Sequence, residues 1–489
     1  MQTVIRSIPI PFAAIFAGCF SGLIFTAAAI VFSPLIGAII VLSLAFGMLV
    51  VFFEPRIAYL LMALVVPIER LGRFGDDLDL ESISLMRLVG LLALAAVCVQ
   101  FVMRRQKLEL SSSLILLGLL QTLAFCSIFY ARDIVATQSH ALTMLGTFLM
   151  FFVIVQGVRD WAMVEGLILT WLFSTLMIGI YQIYGWHFSP DISEAELGDI
   201  GTRFGTTLRQ LSEVHTLGES RRAVGTTSNA AVYGINLLLS LPFFFLYLRL
   251  AKNPIIRFFW MLAVAIIVYN SMLTNTRAVL VALLILLGMI LASGLFRMTA
   301  VAFLFGAAGV MFLLDELPQS IWQRILNPNA YSLENATNLS WRFDLWSGAF
   351  KLGLENWLGG VGVGNRTAII SKLDLQKFDA TWIMAHNEYL QVFYELGAMG
   401  ILVFLGFLAT TVYAAFTTSS LAKTYGLEPR KYWIGVASWL TLVIGMLFAL
   451  QVDAFHFPLK GWWLIAGLSV VTLRLARQEA AEILGGRNI

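Results

Sequence analysis

Residues 385–401 read AHNEYLQVFYELGAMGI. His386, Asn387, Glu388 and Tyr389 stand together at the mouth of an apolar run, and a second acid, Glu395, follows seven residues after the first. Asn387 has the side chain of a helix N-cap, able to satisfy an otherwise orphan backbone N–H. Three other segments carry arginine beside small polar residues: Arg222 in RRAVGTTSNAAVYG (221–234), Arg277 in LTNTRAVLVAL (273–283) and Arg342 in SWRFDLW (340–346). A guanidinium stays charged and presents a planar fork that matches phosphate oxygens. Gathered on one face of a membrane, these groups suit an anionic lipid with a phosphate or diphosphate head. Each also has a plainer reading. Arg277 is a snorkelling interfacial cation, Arg222 and Arg342 are solvated loop charges, and His386 is an interfacial or capping residue.

The elements that would hold these residues follow from composition. The chain has 489 residues, 59% hydrophobic and 12% charged, about half the charge of a soluble domain. Apolar runs of roughly 18–25 residues recur along it, the length a spanning helix needs. This predicts an all-α fold: one membrane domain over residues 1–489, a polytopic transmembrane bundle of about 12–14 spans. The first lies at 10–32, the last at 459–475, and the AHNEYL cluster opens the span at 387–416. With the N-terminus inside, the basic short loops (RRQK at 104–107, RLAKNPIIR at 249–257, AKTYGLEPRK at 422–431) alternate with loops poor in Lys and Arg. That bias puts both termini in the cytoplasm of a bacterial inner membrane. Two long loops, 186–228 and 315–385, then fall on the periplasmic side, and loops of that length usually carry function.

Within the second loop, WRFDLWSGAFKLGLENWL reads as an amphipathic helix at the interface, with Trp341, Leu345, Phe350 and Leu354 on one stripe. The 387–416 helix is about 45 Å long against a core of about 30 Å, so its first turns stand above the hydrocarbon and Glu395 lies near the surface. The span interiors are almost free of ionisable groups, which argues against an ion-coupled pathway. GGVGVGN (359–365) lacks the GK[ST] of a P-loop and reads as a sharp turn. Asn335, Asn338 and Asn365 match N-x-[ST] by chance. Cys19, Cys98 and Cys126 have no metal-ligand spacing and read as small buried hydrophobes.

Arg342, Trp346, GGVGVGN and AHNEYLQVFYELGAMGI, in that order, together with the Arg277 segment and RAVGTTSN before a span, resemble the signature of the O-antigen ligase and polymerase superfamily. The resemblance covers roughly 221–416. One departure is TNTR, where the family commonly has a Ser-x-Ser-Arg-like run; the arginine is kept. The resemblance implies a metal-independent transfer without cofactor. A glycan on an undecaprenyl diphosphate carrier passes at the periplasmic face to a sugar hydroxyl, either of lipid A–core or of a second lipid-linked repeat unit.

In that reaction a base helps remove the hydroxyl proton. His386 is the expected base, kept neutral by the positive end of its helix. Arg277 and Arg342, with Arg222 third, stabilise the leaving diphosphate. Asn387, Glu388, Tyr389 and Glu395 support the site, and Trp341, Trp346 and Tyr389 have rings that suit stacking on sugars, with packing at the interface the plainer reading of each. The expected partners are the lipid-linked donor, the glycan acceptor and membrane lipid, with no nucleic acid. A transporter or flippase of lipid-linked glycans would share the arginine site but would also need a polar path through the bundle. A non-catalytic scaffold leaves the cluster unexplained.

Overall fold

A computed structural model describes residues 54–68, 85–104, 107–188, 191–193, 214–217, 220–227, 229–296, 339–373, 385–452 and 459–485. The spans predicted at 10–32, 34–53 and 297–314 lie outside them, as do Cys19, Asn335, Asn338 and the Trp341 side chain.

In hydrocarbon each backbone polar group must be satisfied inside its own segment, so long apolar runs become helices. Those described are α1 (Arg56–Val65), α2 (Leu85–Arg104), α3 (Ser112–Cys126), α4 (Ile134–Gly157), α5 (Trp161–Phe188), α6 (Ala230–Leu250), α7 (Pro254–Leu273), α8 (Arg277–Ala292), α9 (Leu339–Glu355), α10 (Glu388–Thr424), α11 (Pro429–Phe448) and α12 (Lys460–Gly485). Seven of them, α3 to α7 with α10 and α11, are long and apolar enough to cross a membrane, and α1, α2 and α8 are shorter apolar helices. The fold is thus the expected polytopic helical bundle. Short polar residues start the helices: Ser111, Asp133, Asn229 and Asn253 each accept a bond from a first-turn N–H, satisfying donors the helix itself leaves orphaned.

Lipid tails are as apolar as leucine, so close packing and interhelical hydrogen bonds hold such a bundle together. α10 lies at its centre, packed on α3, α9, α11 and α12. Phe407 of α10 is fully buried and stacks on Trp463 of α12 at 5.4 Å. Gly435 of α11 lets the backbone of α10 approach; a Cβ there would stand 2.7 Å from the Ser419 nitrogen. Ser113 donates to Thr410 at 3.0 Å, and Thr441 donates to the Leu239 carbonyl at 2.8 Å.

Several expectations need correction. The 387–416 helix is not straight: α10 runs to Thr424 and breaks at Gly397 (φ 68°, ψ −165°). The predicted stripe of α9 divides between two faces. Leu345 is buried with Ala349 and Leu352, at i, i+4 and i+7, whereas Phe350 and Leu354 face outward. The loop at 186–228 includes a small sheet, β1 (Asp191–Ser193), β2 (Val214–Leu217) and β3 (Ser220–Ala223), parallel between β1 and β2 and antiparallel between β2 and β3. Cys98 and Cys126 are free but exposed on helix surfaces.

Candidate active site

The break in α10 frees two carbonyls from the helical ladder, and the glycine-rich turn takes them up. Val361 N–H donates to the Tyr394 carbonyl at 2.9 Å and Gly362 N–H to the Glu395 carbonyl at 3.0 Å, while Ala398 N–H donates to the Trp357 carbonyl at 2.6 Å. Backbone this deep must find partners, and here two irregular segments satisfy each other. Gly360 is essential to that contact: its φ is 73°, and a Cβ would lie 2.2 Å from the Glu395 carbonyl carbon. On its other side the turn is tied to the start of α4. Asn365 accepts from the Asp133 N–H at 2.7 Å and donates to Thr137 Oγ1 at 2.8 Å. The Tyr130 hydroxyl donates to the Gly359 carbonyl at 2.6 Å. Asn365 is buried, so the turn is a rivet between α4 and α10.

That rivet steadies the helix opened by the AHNEYL cluster. Asn387 is its N-cap, accepting from the Leu390 N–H at 3.1 Å. His386, just before it, has a left-handed backbone with φ 47°. A residue other than glycine costs about 1–3 kcal/mol there, and such geometry persists where the surroundings impose it. The surroundings do so from two sides. From α9, Trp346 Nε1 donates to the Ala385 carbonyl at 3.0 Å. From α11, the Ala449 carbonyl accepts from the Glu388 N–H at 2.9 Å, and Met446 accepts from the Tyr389 hydroxyl at 2.8 Å.

The His386 ring is largely withdrawn from water beside Arg342. Burial first, and the Arg342 charge second, push its pKa down to about 4. The ring is neutral at pH 7 for those reasons. Arg342 itself is held by Gln451, whose Oε1 accepts from its Nη1.

Arg222 reaches the turn that leads into Arg277. Arg222, on β3, donates from Nη2 to Thr276 Oγ1 at 2.9 Å and reaches the Thr274 carbonyl at 3.5 Å. Thr276 is the residue before Arg277, the first of α8. Asn275 in this turn has φ 48°; with His386 it makes up the positive-φ non-glycine residues among those described. The structure therefore places His386 with Arg342 and Arg222 with Arg277. The link between the two pairs is α11, which packs on α8 and whose end clamps the His386 segment.

The acids on this helix are buried in the bundle: Glu388 and Glu395 are 1% and 3% exposed, and Glu395 accepts from Gln391 Nε2 at 3.1 Å. Trp346 and Tyr389 spend their polar atoms on backbone carbonyls, which makes them parts of the frame. Sequence reasoning missed Gln451, Asn365 and the break at Gly397. A glycine within a long span and an asparagine ending a glycine-rich turn were the available signals. Nothing local marks Gln451 as the partner of Arg342, 109 positions away. Among the described residues no group of three or more His, Cys, Asp or Glu could hold a metal ion.

A multi-pass membrane bundle with a histidine set beside an arginine at the start of its central helix is the class defined here. Residues 262–405 match the family described as O-antigen ligase. That stretch contains Arg277, Arg342, the glycine-rich turn and His386, so the resemblance to the ligase and polymerase superfamily stands on an independent comparison. A search of curated proteins finds no match.

Proposed function

We propose that the protein is a glycosyltransferase of the bacterial inner membrane. Its donor is a glycan on undecaprenyl diphosphate and its acceptor a sugar hydroxyl, with the chemistry at the periplasmic face. The observation that carries this reading is the strained backbone of His386 and its neutral ring against Arg342, inside the stretch that matches the ligase family.

The acceptor oxygen attacks the anomeric carbon as the bond from that carbon to the diphosphate oxygen breaks, with inversion. His386 takes the hydroxyl proton, and the diphosphate leaves with the bonding pair. Arg342, Arg277 and Arg222 bind its oxygens, where preorganised cations are worth most in a site short of water. A ring with a pKa near 4 is a weak base. The bound diphosphate corrects this: its negative charge offsets Arg342 and raises the affinity of His386 for a proton. The base strengthens when the donor is in place.

The test is a strain lacking the gene, complemented with wild type or with His386→Asn, a residue that tolerates a left-handed backbone. Surface and lipid-linked glycans are separated on gels. Single repeat units without the gene, and polymer restored by wild type alone, identify a polymerase. Long polymer stranded on the carrier identifies a ligase. Full restoration by His386→Asn removes the base, and an unchanged profile without the gene removes the transfer reading. Activity of the purified protein that chelation abolishes would remove the metal-free mechanism.

A further inference from the structure

At the far end of α4 from the glycine-rich turn, the short link between α4 and α5 holds a second set of cations, and its chemistry is incomplete. Arg159 donates from Nη1 to Glu109 Oε1 at 2.9 Å, and Arg474 Nη1 lies 4.0 Å from the same oxygen. One carboxylate is thus shared by two guanidinium groups. Gln156 fixes Glu109 in place, exchanging two bonds of 2.8 and 3.0 Å with its backbone. Arg474 is satisfied by the carbonyls of Val155 and Val158. Arg159 is not: its Nε and Nη2 are buried and have no hydrogen-bond partner, and neither has Nε1 of Trp161, two residues on. All three orphaned atoms are N–H donors on one three-residue segment. A buried donor left unmade costs about 1–3 kcal/mol, and more when it is charged. All three call for an acceptor, and beside two guanidinium groups that share one carboxylate an anionic one is favoured.

We infer that Arg159, with Arg474 and Trp161, binds a phosphate-type oxyanion, supplied by the headgroup of an anionic phospholipid. The level in the bundle fits such a source. Trp161 lies under Lys431 Nζ at 5.4 Å, and Tyr432 packs edge-on against Trp433 at 4.6 Å. Aromatic rings of this kind mark the headgroup level of a bilayer. The site is open on one edge, since the Arg159 side chain is 28% and that of Glu109 40% exposed. A turn of the Arg159 head presents Nε and Nη2 together, the fork that grips two phosphate oxygens.

Native mass spectrometry of the full-length protein, released from nanodiscs of phosphatidylcholine and phosphatidylglycerol, reads the site without any transfer assay. Wild type should retain phosphatidylglycerol over phosphatidylcholine. Arg159→Gln should lose about tenfold in that preference, one charge-assisted contact's worth. Glu109→Gln should shift it the other way, because both guanidinium groups are then released to the anion. A fluorescence melting scan confirms that each variant is folded. Competition by millimolar inorganic phosphate, with the same dependence on Arg159, would support the site but assign it to free phosphate. Retention unaltered in both folded variants would overturn the inference and leave water as the occupant.

Discussion

Two arginines at opposite ends of the bundle, Arg430 and Arg342, have different neighbours. At the end away from His386, several cations meet carboxylates, while Arg249 and Arg474 donate to backbone carbonyls. Arg430 pairs with Glu165 at 2.6 Å, Lys431 with Glu479 at 2.7 Å and Arg56 with Asp160 at 3.1 Å. At the His386 end, the bonds of Arg342 and Arg222 go to an amide oxygen of Gln451 and a hydroxyl of Thr276. Arg430 is set against a carboxylate near the surface. Arg342 is set beside the His386 ring, where its charge adds to burial in lowering the ring's affinity for a proton.

Removing the His386 ring should have the largest effect. His386→Asn is expected to lower transfer by about 10²–10⁴-fold, the usual worth of a positioned proton acceptor. The melting temperature should stay near that of wild type, since Asn accepts the left-handed backbone. Transfer rates and a melting scan on one preparation decide this. A collapse of both together would make His386 a structural residue.

How much of this was legible in the sequence depends on the range of each contact. The helices and the cap at Asn387 follow from local pattern. So does the sharp turn in GGVGVGN, because four glycines in six residues have few other uses. What that turn contacts was not legible. Gly360 needs to be glycine because of the Glu395 carbonyl, and a span read as an unbroken helix offers no reason for a second segment to dock on it. Gly397 is one glycine among many in apolar runs. The α9 stripe failed for a related reason: with apolar residues on two faces, periodicity cannot say which face packs inward. Leu345 and Leu352 won that side by meeting the glycine-rich turn and its following 3₁₀ segment.

Arg342 sharpens the comparison through pH. His386 titrates near 4 rather than 6.5, so in the free enzyme its neutral form persists well below neutrality. The acid limb of kcat/KM, which reports the free enzyme, should lie near pH 4, and that of kcat should lie higher, since the bound diphosphate offsets Arg342. Arg342→Gln removes a positive neighbour, so the acid limb of kcat/KM must move up. Arg342→Lys keeps the charge and loses the fork: the limb should hold while kcat/KM falls by about 10–100-fold. A limb that stays put in Arg342→Gln would mean that burial alone sets the ring.

Gln451→Ala is the intermediate case. It leaves the Arg342 charge in place and releases its direction, so it should cost about 5–10-fold in kcat/KM, the worth of one hydrogen bond to a charged group. Leucine at the same position should be no better than alanine, whereas Gln451→Asn or Gln451→Glu should separate the two ends in kind. Asparagine is one methylene short and restores little. Glutamate puts a carboxylate against Arg342 and offsets its charge at His386. If neutral fixing is what matters, Gln451→Glu is the worse of the two, and its acid limb of kcat/KM moves up as in Arg342→Gln.

The smallest effect belongs to the opposite end. Arg430→Gln breaks the pair with Glu165, yet the Arg430 side chain is 43% exposed. Exposed ion pairs contribute about 0–1 kcal/mol because water and salt screen them and ordering the side chains offsets the gain. Transfer should be unchanged within twofold, and the melting temperature should fall by no more than a degree or two, less at 1 M salt than at 0.05 M salt because the screening length shortens. The same substitution of charge by amide at Arg342 is expected to cost transfer far more. That contrast separates a cation in a surface ion pair from one set beside His386, and a comparable loss of transfer in Arg430→Gln would erase it.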